Sequence, residues 1–392
     1  MTGGGSFPIR PQYERGGIAA LIPALLAPPS LRPTWLPELA RGSEQVAVLV
    51  LDGLGWLQLQ QRTRLAPTLA GMVGGPITSV APSTTATALT SLVSGVAPAV
   101  HGIVGYRVRI PSSELVVPPE PAPTGASDVL GADQVLNVLR WRLDGGDARP
   151  FVPPESFSRS APFLGQPITV VSREGFTGTG FTVAHQGEAP ERFYTLVSGM
   201  TVEVERAIRA GEKLVYAYYE GVDKVAHARG FGDHYDAEVR SVDRLVADVI
   251  DHLPGEATLV VTADHGQVQI GDNVRVLPPE VTEHCELASG EPRFMWLHAK
   301  PGRGHDLLSA ARHWAGDDAW VVSGDELLDE GFFGGPLGAG LRPRYGDVAM
   351  IARTAVAFEH PDDNLKGTLV CRHGSLTPEE MWVPLLAASG SR

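Results

Sequence analysis

Five apolar runs in this chain are too short for helices and end in small or acidic residues: QVAVLVLDG, GPITSV, PITVVS, KLVYAYYEG and ATLVVTADHG. Continuous runs rich in Val, Ile, Leu and Tyr fit strands buried on both faces of a mainly parallel sheet. Between them, apolar residues recur at helical spacing in ATALTSLVSG, DQVLNVLRWRL, TVEVERAIRAG and HYDAEVRSVDRLVADVIDHLPG. The last places Val239, Val242, Leu245, Val246 and Ile250 on one face and stops at Pro254-Gly255. Strands alternating with helices predict an α/β fold, a mainly parallel central sheet flanked by helices.

At 392 residues the chain exceeds the size at which one core usually stops growing. The expected organisation is one catalytic domain over 1–392 with an inserted subdomain or lid at roughly 271–345, where the pattern turns mixed. PSSELVVPPEPAPTGAS (111–127) reads as a Pro-rich loop. A formal charge of -13 argues against a nucleic-acid polymer as partner, since that affinity rests on clustered Lys and Arg. It leaves room for a small phosphorylated substrate, because bound cations dominate the local field. Cys285 and Cys371 lie far apart in unlike contexts, which disfavours a disulfide framework. MTGGGSFPIRPQYERGG lacks a basic start leading into an unbroken apolar stretch, and no segment reaches the ~20 apolar residues of a membrane span. The expectation is a cytoplasmic protein with no membrane partner.

Chemistry concentrates in five clusters. Asp52 follows VLVL, and Asp264 with His265 follow LVVTA, so each stands where a strand should end and where ligands of open α/β sheets gather. Asp223 and His227, in GVDKVAH, are four apart, which on a helical turn gives one face. Asp264 and His265 can face one metal only if the chain turns there, a turn Gly266 permits. His373, in CRHGSL, precedes a helix start in which Thr377, Pro378 and Glu380 form a capping-box pattern. Thr85 falls in the first turn of STTATALTSLV, where free N–H groups face any anion. Each cluster alone also fits a turn former, an ion pair or a helix cap. Together they supply six N and O ligands, two sets of three with open positions, beside a hydroxyl that metal coordination would activate. His101, His185, His234, His284 and His298 have no partner cluster and read as structural.

The ordered set LDG, PSTT, VDKVAH, ADHG and RHGS resembles the alkaline phosphatase superfamily, and within it the type I phosphodiesterase/nucleotide pyrophosphatase branch, from Val46 to Pro384. In that branch the nucleophile lies nine residues before a Ser-Gly or Thr-Gly hydroxyl; counting back from Ser94-Gly95, with His101-Gly102-Ile103 beyond, selects Thr85 over Thr84. The resemblance implies an alkaline phosphatase-like sandwich and two divalent metals, zinc with manganese as the alternative. One would be held by Asp223, His227 and His373, the other by Asp52, Asp264, His265 and the Thr85 oxygen. It further implies a phosphodiesterase or pyrophosphatase acting through a covalent phospho-threonine. One departure stands out: the Asn that many members carry three residues after the nucleophile is Ala88 here. Either Lys224, Arg293, Arg344 or the Thr85 backbone N–H replaces it as phosphate contact, or no donor is used there. The alternatives are a phosphomonoesterase, a phosphonate or sulfate ester hydrolase, a cofactor-independent phosphoglycerate mutase, and a metalloprotein that binds a phosphorylated ligand without turnover. A threonine at 85 speaks against the mutases, which use Ser, and the sulfatases, which use a modified Cys or Ser.

Overall fold

A computed structural model describes residues 8–119, 123, 125–144, 146–363 and 369–391. Its centre is a seven-stranded sheet built from β1 (Gln45–Leu51), β2 (Val73–Thr78), β3 (Thr169–Arg173), β4 (Glu191–Tyr194), β5 (Leu214–Tyr219), β6 (Ala257–Thr262) and β7 (Trp382–Ser389). Their order is β2-β7-β6-β1-β5-β3-β4. All neighbours pair in parallel except where β7 runs antiparallel to both β6 and β2. The five apolar runs are β1, β2, β3, β5 and β6. β1 and β6 are buried almost throughout, as strands covered by helices on both faces must be. β2 departs from that expectation. It is an edge strand, half exposed at Val73, and only its last residues enter the core.

Helices Thr85–Ser94, Ser198–Arg209 and Asp233–His252 form where the spacing places them. DQVLNVLRWRL does not become a helix. Gln134–Asn137 pairs antiparallel with Arg107–Ile110, and Asn137 turns the chain into the short strand Arg142–Leu143, its side-chain oxygen accepting from the Arg140 N–H at 3.0 Å. A free strand edge decided between two periods that a short apolar run cannot separate. These strands belong to an eight-stranded second sheet, in the order Ala319–Ser323, Val348–Ala352, Phe294–Ala299, Cys285–Glu291, Arg107–Ile110, Gln134–Asn137, Arg142–Leu143 and Gly146–Asp147. Segments from both the 111–150 region and the 271–345 stretch therefore enter one sheet. The Pro-rich stretch 111–127 carries a 3-10 turn at Ser112–Glu114; residues 120–122 and 124 of it lie outside the described residues. Both cysteines are free and buried, and no helix among the described residues is long and apolar enough to cross a membrane.

Two expected substrate contacts turn out to belong to the fold. Arg293 is fully buried, with its Nε and Nη2 on the two Glu380 oxygens at 2.7 and 2.8 Å and Nη1 on the carbonyls of Thr354 and Val356. Glu380 also accepts from the Ser375 N–H and from the hydroxyl of Thr377, the N-cap of its own helix, so the capping-box carboxylate ties that helix start to this ion pair. Arg344 is buried against Glu114 at 3.1 Å and stacks on Phe157. The Arg293 guanidinium has no free fork for a phosphate, and at Arg344 both terminal nitrogens are taken, Nη1 by the Gly102 carbonyl and Nη2 by Glu114. Arg293→Ala should instead destabilise the protein by about 3–5 kcal/mol, because it leaves a buried carboxylate unpaired. Urea denaturation would register this as a lowered midpoint.

Candidate active site

Three connections bring the clusters together at the carboxyl end of the sheet. Asp52 is the first residue after β1, and Gly53 follows it in a left-handed conformation (φ 73°) that turns the chain over the strand end. A Cβ at Gly53 would lie 2.7 Å from the Gln267 side chain and 3.0 Å from the Asp223 backbone, so the LDG turn also lets the helix carrying Asp223 approach. Asp264 and His265 follow β6. Gly266 allows their turn by close packing rather than by left-handed backbone, since a Cβ there would meet the Glu379 carbonyl at 2.0 Å. The short strands Val268–Gln269 and Cys371–Arg372 pair, and Ser83 bonds to Gly374, which brings His373 beside the start of the Thr85 helix.

Two ligand sets result, Asp52 with Asp264 and His265, and Asp223 with His227 and His373; in each, all three ligating atoms lie within 4.8 Å of one another. The first set is buried and the second partly exposed. In the first, His265 Nε2 stands 3.5 Å from Asp52 Oδ1 and 3.3 Å from Asp264 Oδ2. In the second, Asp223 Oδ1 stands 3.2 Å from His227 Nε2 and 3.7 Å from His373 Nε2. The rings of His265 and His373 stack at 3.6 Å, so the sets adjoin.

All three imidazoles are held alike. Nδ1–H donates to a backbone carbonyl, that of Gly266 for His265 (3.0 Å), Cys371 for His227 (2.6 Å) and Ser83 for His373 (3.2 Å). This fixes Nδ1 as a proton-bearing nitrogen and turns each Nε2 toward the carboxylates, as in metal-binding histidines. Asp52 Oδ1 and Asp264 Oδ2 are buried without a hydrogen-bond partner, which is costly for two neighbouring carboxylates unless a cation lies between them. Burial and the mutual proximity of the carboxylates push the Asp52 carboxyl well above its usual range, and burial also raises Asp264. At Asp223 burial works in the same direction but is outweighed by His227, His373 and His265, which hold its carboxyl low. The residues present thus fit two divalent cations with mixed N and O donors.

Thr85 is the first residue of its helix, and its hydroxyl donates to His265 Nε2 at 3.0 Å. Thr84 is the N-cap but makes no side-chain cap bond, so the threonines do not simply close the helix start. His101 and Ser91 bond at 2.8 Å, and the Ile103 N–H donates to His101 Nδ1, pinning the loop to the Thr85 helix. Burial holds His101 down to about 3, which keeps it neutral in that structural role. Lys224 lines the adjoining cavity, but its ammonium sits on Glu220 at 2.8 Å. The sequence reading did not single out Tyr218, which donates to Asp52 Oδ2, or Gln267, which donates to Asp223 Oδ1 at 2.8 Å. Tyr218 pairs in register with Val50 near the strand end, and Gln267 is two residues past His265. Proximity to the clusters was the available signal.

Glu291 lies behind the Thr84 and Gly374 segments, and a Cβ on Gly374 would meet its side chain at 2.5 Å. Burial pushes its carboxyl up to about 8, against bonds from Thr84 and the Tyr106 N–H that lower it. The folded protein therefore keeps this proton while the unfolded chain releases it near the ordinary 4.5. Stability is lost as pH rises through that window, by up to about 1.4 kcal/mol per pH unit. Glu291→Gln has no such proton. Its stability relative to wild type, from denaturation at several pH values, should rise between pH 4.5 and 8 and level off above.

Strand-end carboxylates, two adjoining ligand sets and a hydroxyl at a helix start, on an alkaline phosphatase-like α/β sheet, define the class as hydrolases of phosphoric esters. Residues 46–376 match the family described as type I phosphodiesterase / nucleotide pyrophosphatase, and the chain belongs to that family. No curated protein matches it by sequence. Among solved structures, murine ectonucleotide pyrophosphatase/phosphodiesterase 5 superposes with a TM-score of 0.61 at 16% identity, covering 87% of each chain. An inactive threonine-to-alanine form of that murine protein, in complex with AMP, superposes at 0.61 with 15% identity, again over 87% of each chain. Phosphonoacetate hydrolase from Sinorhizobium meliloti 1021, in complex with phosphonoformate, gives 0.59 at 17% identity, covering 88% of this chain and 90% of its own. These likenesses show a shared fold.

Proposed function

We propose that the protein hydrolyses small phosphodiesters or pyrophosphates with two divalent metals and Thr85 as nucleophile. The observation that carries this reading is the common anchoring of His265, His227 and His373 through Nδ1, which turns each Nε2 toward a carboxylate of its ligand set, with His265 also bonded to the Thr85 hydroxyl. Asp52, Asp264, His265 and the Thr85 oxygen would hold one cation and Asp223, His227 and His373 the other, with zinc favoured by the imidazole content. Bound cations would supply charge neutralisation on the phosphoryl oxygens and a lowered pKa for the Thr85 hydroxyl.

The Thr85 oxygen attacks phosphorus, and the bond from phosphorus to the leaving alcohol breaks, giving a phospho-threonine and a free alcohol. Water then attacks the same phosphorus, the bond to Thr85 breaks, and the monoester leaves as Thr85 recovers its proton. Ala88 is fully buried and offers no polar group. The backbone N–H groups opening the Thr85 helix then take the nonbridging oxygen that an Asn side chain would otherwise contact. The murine relative described as inactive after a threonine-to-alanine change agrees with a threonine nucleophile.

Initial rates of zinc-loaded and manganese-loaded protein on bis-4-nitrophenyl phosphate and 4-nitrophenyl phosphate test the proposal. A diester preference above the Thr85→Ala background is expected. A monoester preference would move the protein toward the phosphatases, and no turnover of either would count against the reading.

A further inference from the structure

A cavity of about 380 Å³ is lined at once by Asp52, Thr85 and Asp223 and by Ser172, Phe181 and Gln186. Ser172 belongs to β3, the second neighbour of β1 across β5, which at ~4.8 Å per strand sets it about 10 Å from the strand that ends at Asp52. The chemistry of that second wall is fixed by one histidine. His185 Nδ1–H donates to the Phe181 carbonyl at 2.6 Å, so its Nε2 can only accept, and the Gln186 amide nitrogen donates to it at 3.1 Å. Burial holds His185 down to about 4, which keeps the ring neutral. The Gln186 amide therefore cannot flip, and its Oε1 is an acceptor of fixed orientation.

That Oε1 is buried without a hydrogen-bond partner, and so is the Ser172 hydroxyl. Leaving a buried polar atom unpaired costs about 1–3 kcal/mol, so two beside a cavity that reaches the nucleophile call for a ligand. Phe176, Phe181 and Leu89 supply apolar walls. Glu220, also in the wall, leaves Oε2 unpaired, but its Oε1 meets Lys224 at 2.8 Å and Arg173 at 3.2 Å, and these two cations offset its charge, which does not favour a cationic headgroup.

Resting on the phosphodiester reading above, we infer that this cavity selects the alcohol that stays esterified to phosphorus during the first step. That alcohol has an apolar-faced ring and a neutral N–H or O–H donor, received by Gln186 Oε1 with the Ser172 hydroxyl as second partner. Ser172 and Gln186 are then specificity residues for a reaction carried out by Thr85.

The test uses the zinc-loaded full chain and two 4-nitrophenyl phosphodiesters, one of 3-carbamoylbenzyl alcohol and one of its donor-free isostere, 3-isopropylbenzyl alcohol. Wild type should favour the carbamoyl ester by about tenfold or more in kcat/KM. Gln186→Leu and Ser172→Ala should each lower that ratio, chiefly through a raised KM for the carbamoyl ester. An unchanged ratio in both variants, or no preference in wild type, overturns the inference while hydrolysis of bis-4-nitrophenyl phosphate leaves the phosphodiester reading standing. Failure of wild type to turn over any of the three diesters overturns the reading and the inference with it.

Discussion

The Thr85→Ala protein is expected to lose at least ~1,000-fold in kcat on aryl phosphodiesters while keeping nearly all of its metal. On the proposed reading Thr85 would add one oxygen to the three donors of the buried set, Asp52, Asp264 and His265, so its removal should weaken metal binding only slightly. For the reaction it would be the atom that bonds to phosphorus, and alanine offers nothing in its place. The helix start should survive the change, since Thr84 rather than Thr85 is the N-cap and the first helical bond runs from the Ala88 N–H to the Thr84 carbonyl at 2.8 Å. Metal analysis by plasma mass spectrometry beside steady-state kinetics separates the two effects. Retained turnover with full metal would show that another group attacks phosphorus.

The Asp264→Asn protein should instead lose metal and activity together. Losing even an outer-shell partner typically weakens metal binding 10–100-fold, so neutralising a ligand should cost more than about 100-fold in affinity of the buried set. Asp264 has a second task, because its Oδ1 accepts from the Gly53 N–H at 3.1 Å and the His265 N–H at 3.0 Å. Asn can keep an acceptor there, so the fold should persist and the deficit should lie in the metal. Equal metal loss in Thr85→Ala and Asp264→Asn would contradict the roles assigned to the two residues.

Much of this site is readable before any coordinates because its ligands sit where strands end. Asp52, Asp264 and His265 follow apolar runs that become buried strands, which sets them at strand ends, and the i,i+4 spacing of Asp223 and His227 needs only one helical turn. It is the conjunction of the clusters, since each alone also fits a turn or a cap, that points to a shared site. Long-range pairing is what the sequence could not express. Arg293 looks like a loose cation in an inserted stretch, yet Glu380, far along the chain, claims its guanidinium. The Gln134–Arg142 segment carries apolar residues at a spacing compatible with a helix and becomes strands because Arg107–Ile110 offers an edge. Ser172 and Gln186 have no motif at all. Their unpaired atoms become visible only once the cavity between β3 and the Thr85 helix is formed.

The stereochemical course at phosphorus tests the covalent mechanism most directly. A P-chiral aryl phosphorothioate diester would be hydrolysed in H₂¹⁸O by the metal-loaded protein and the configuration of the thiophosphate product assigned. Two in-line displacements, through Thr85 and then water, predict net retention. Net inversion would mean that water attacks the diester in a single step and would contradict Thr85 as nucleophile.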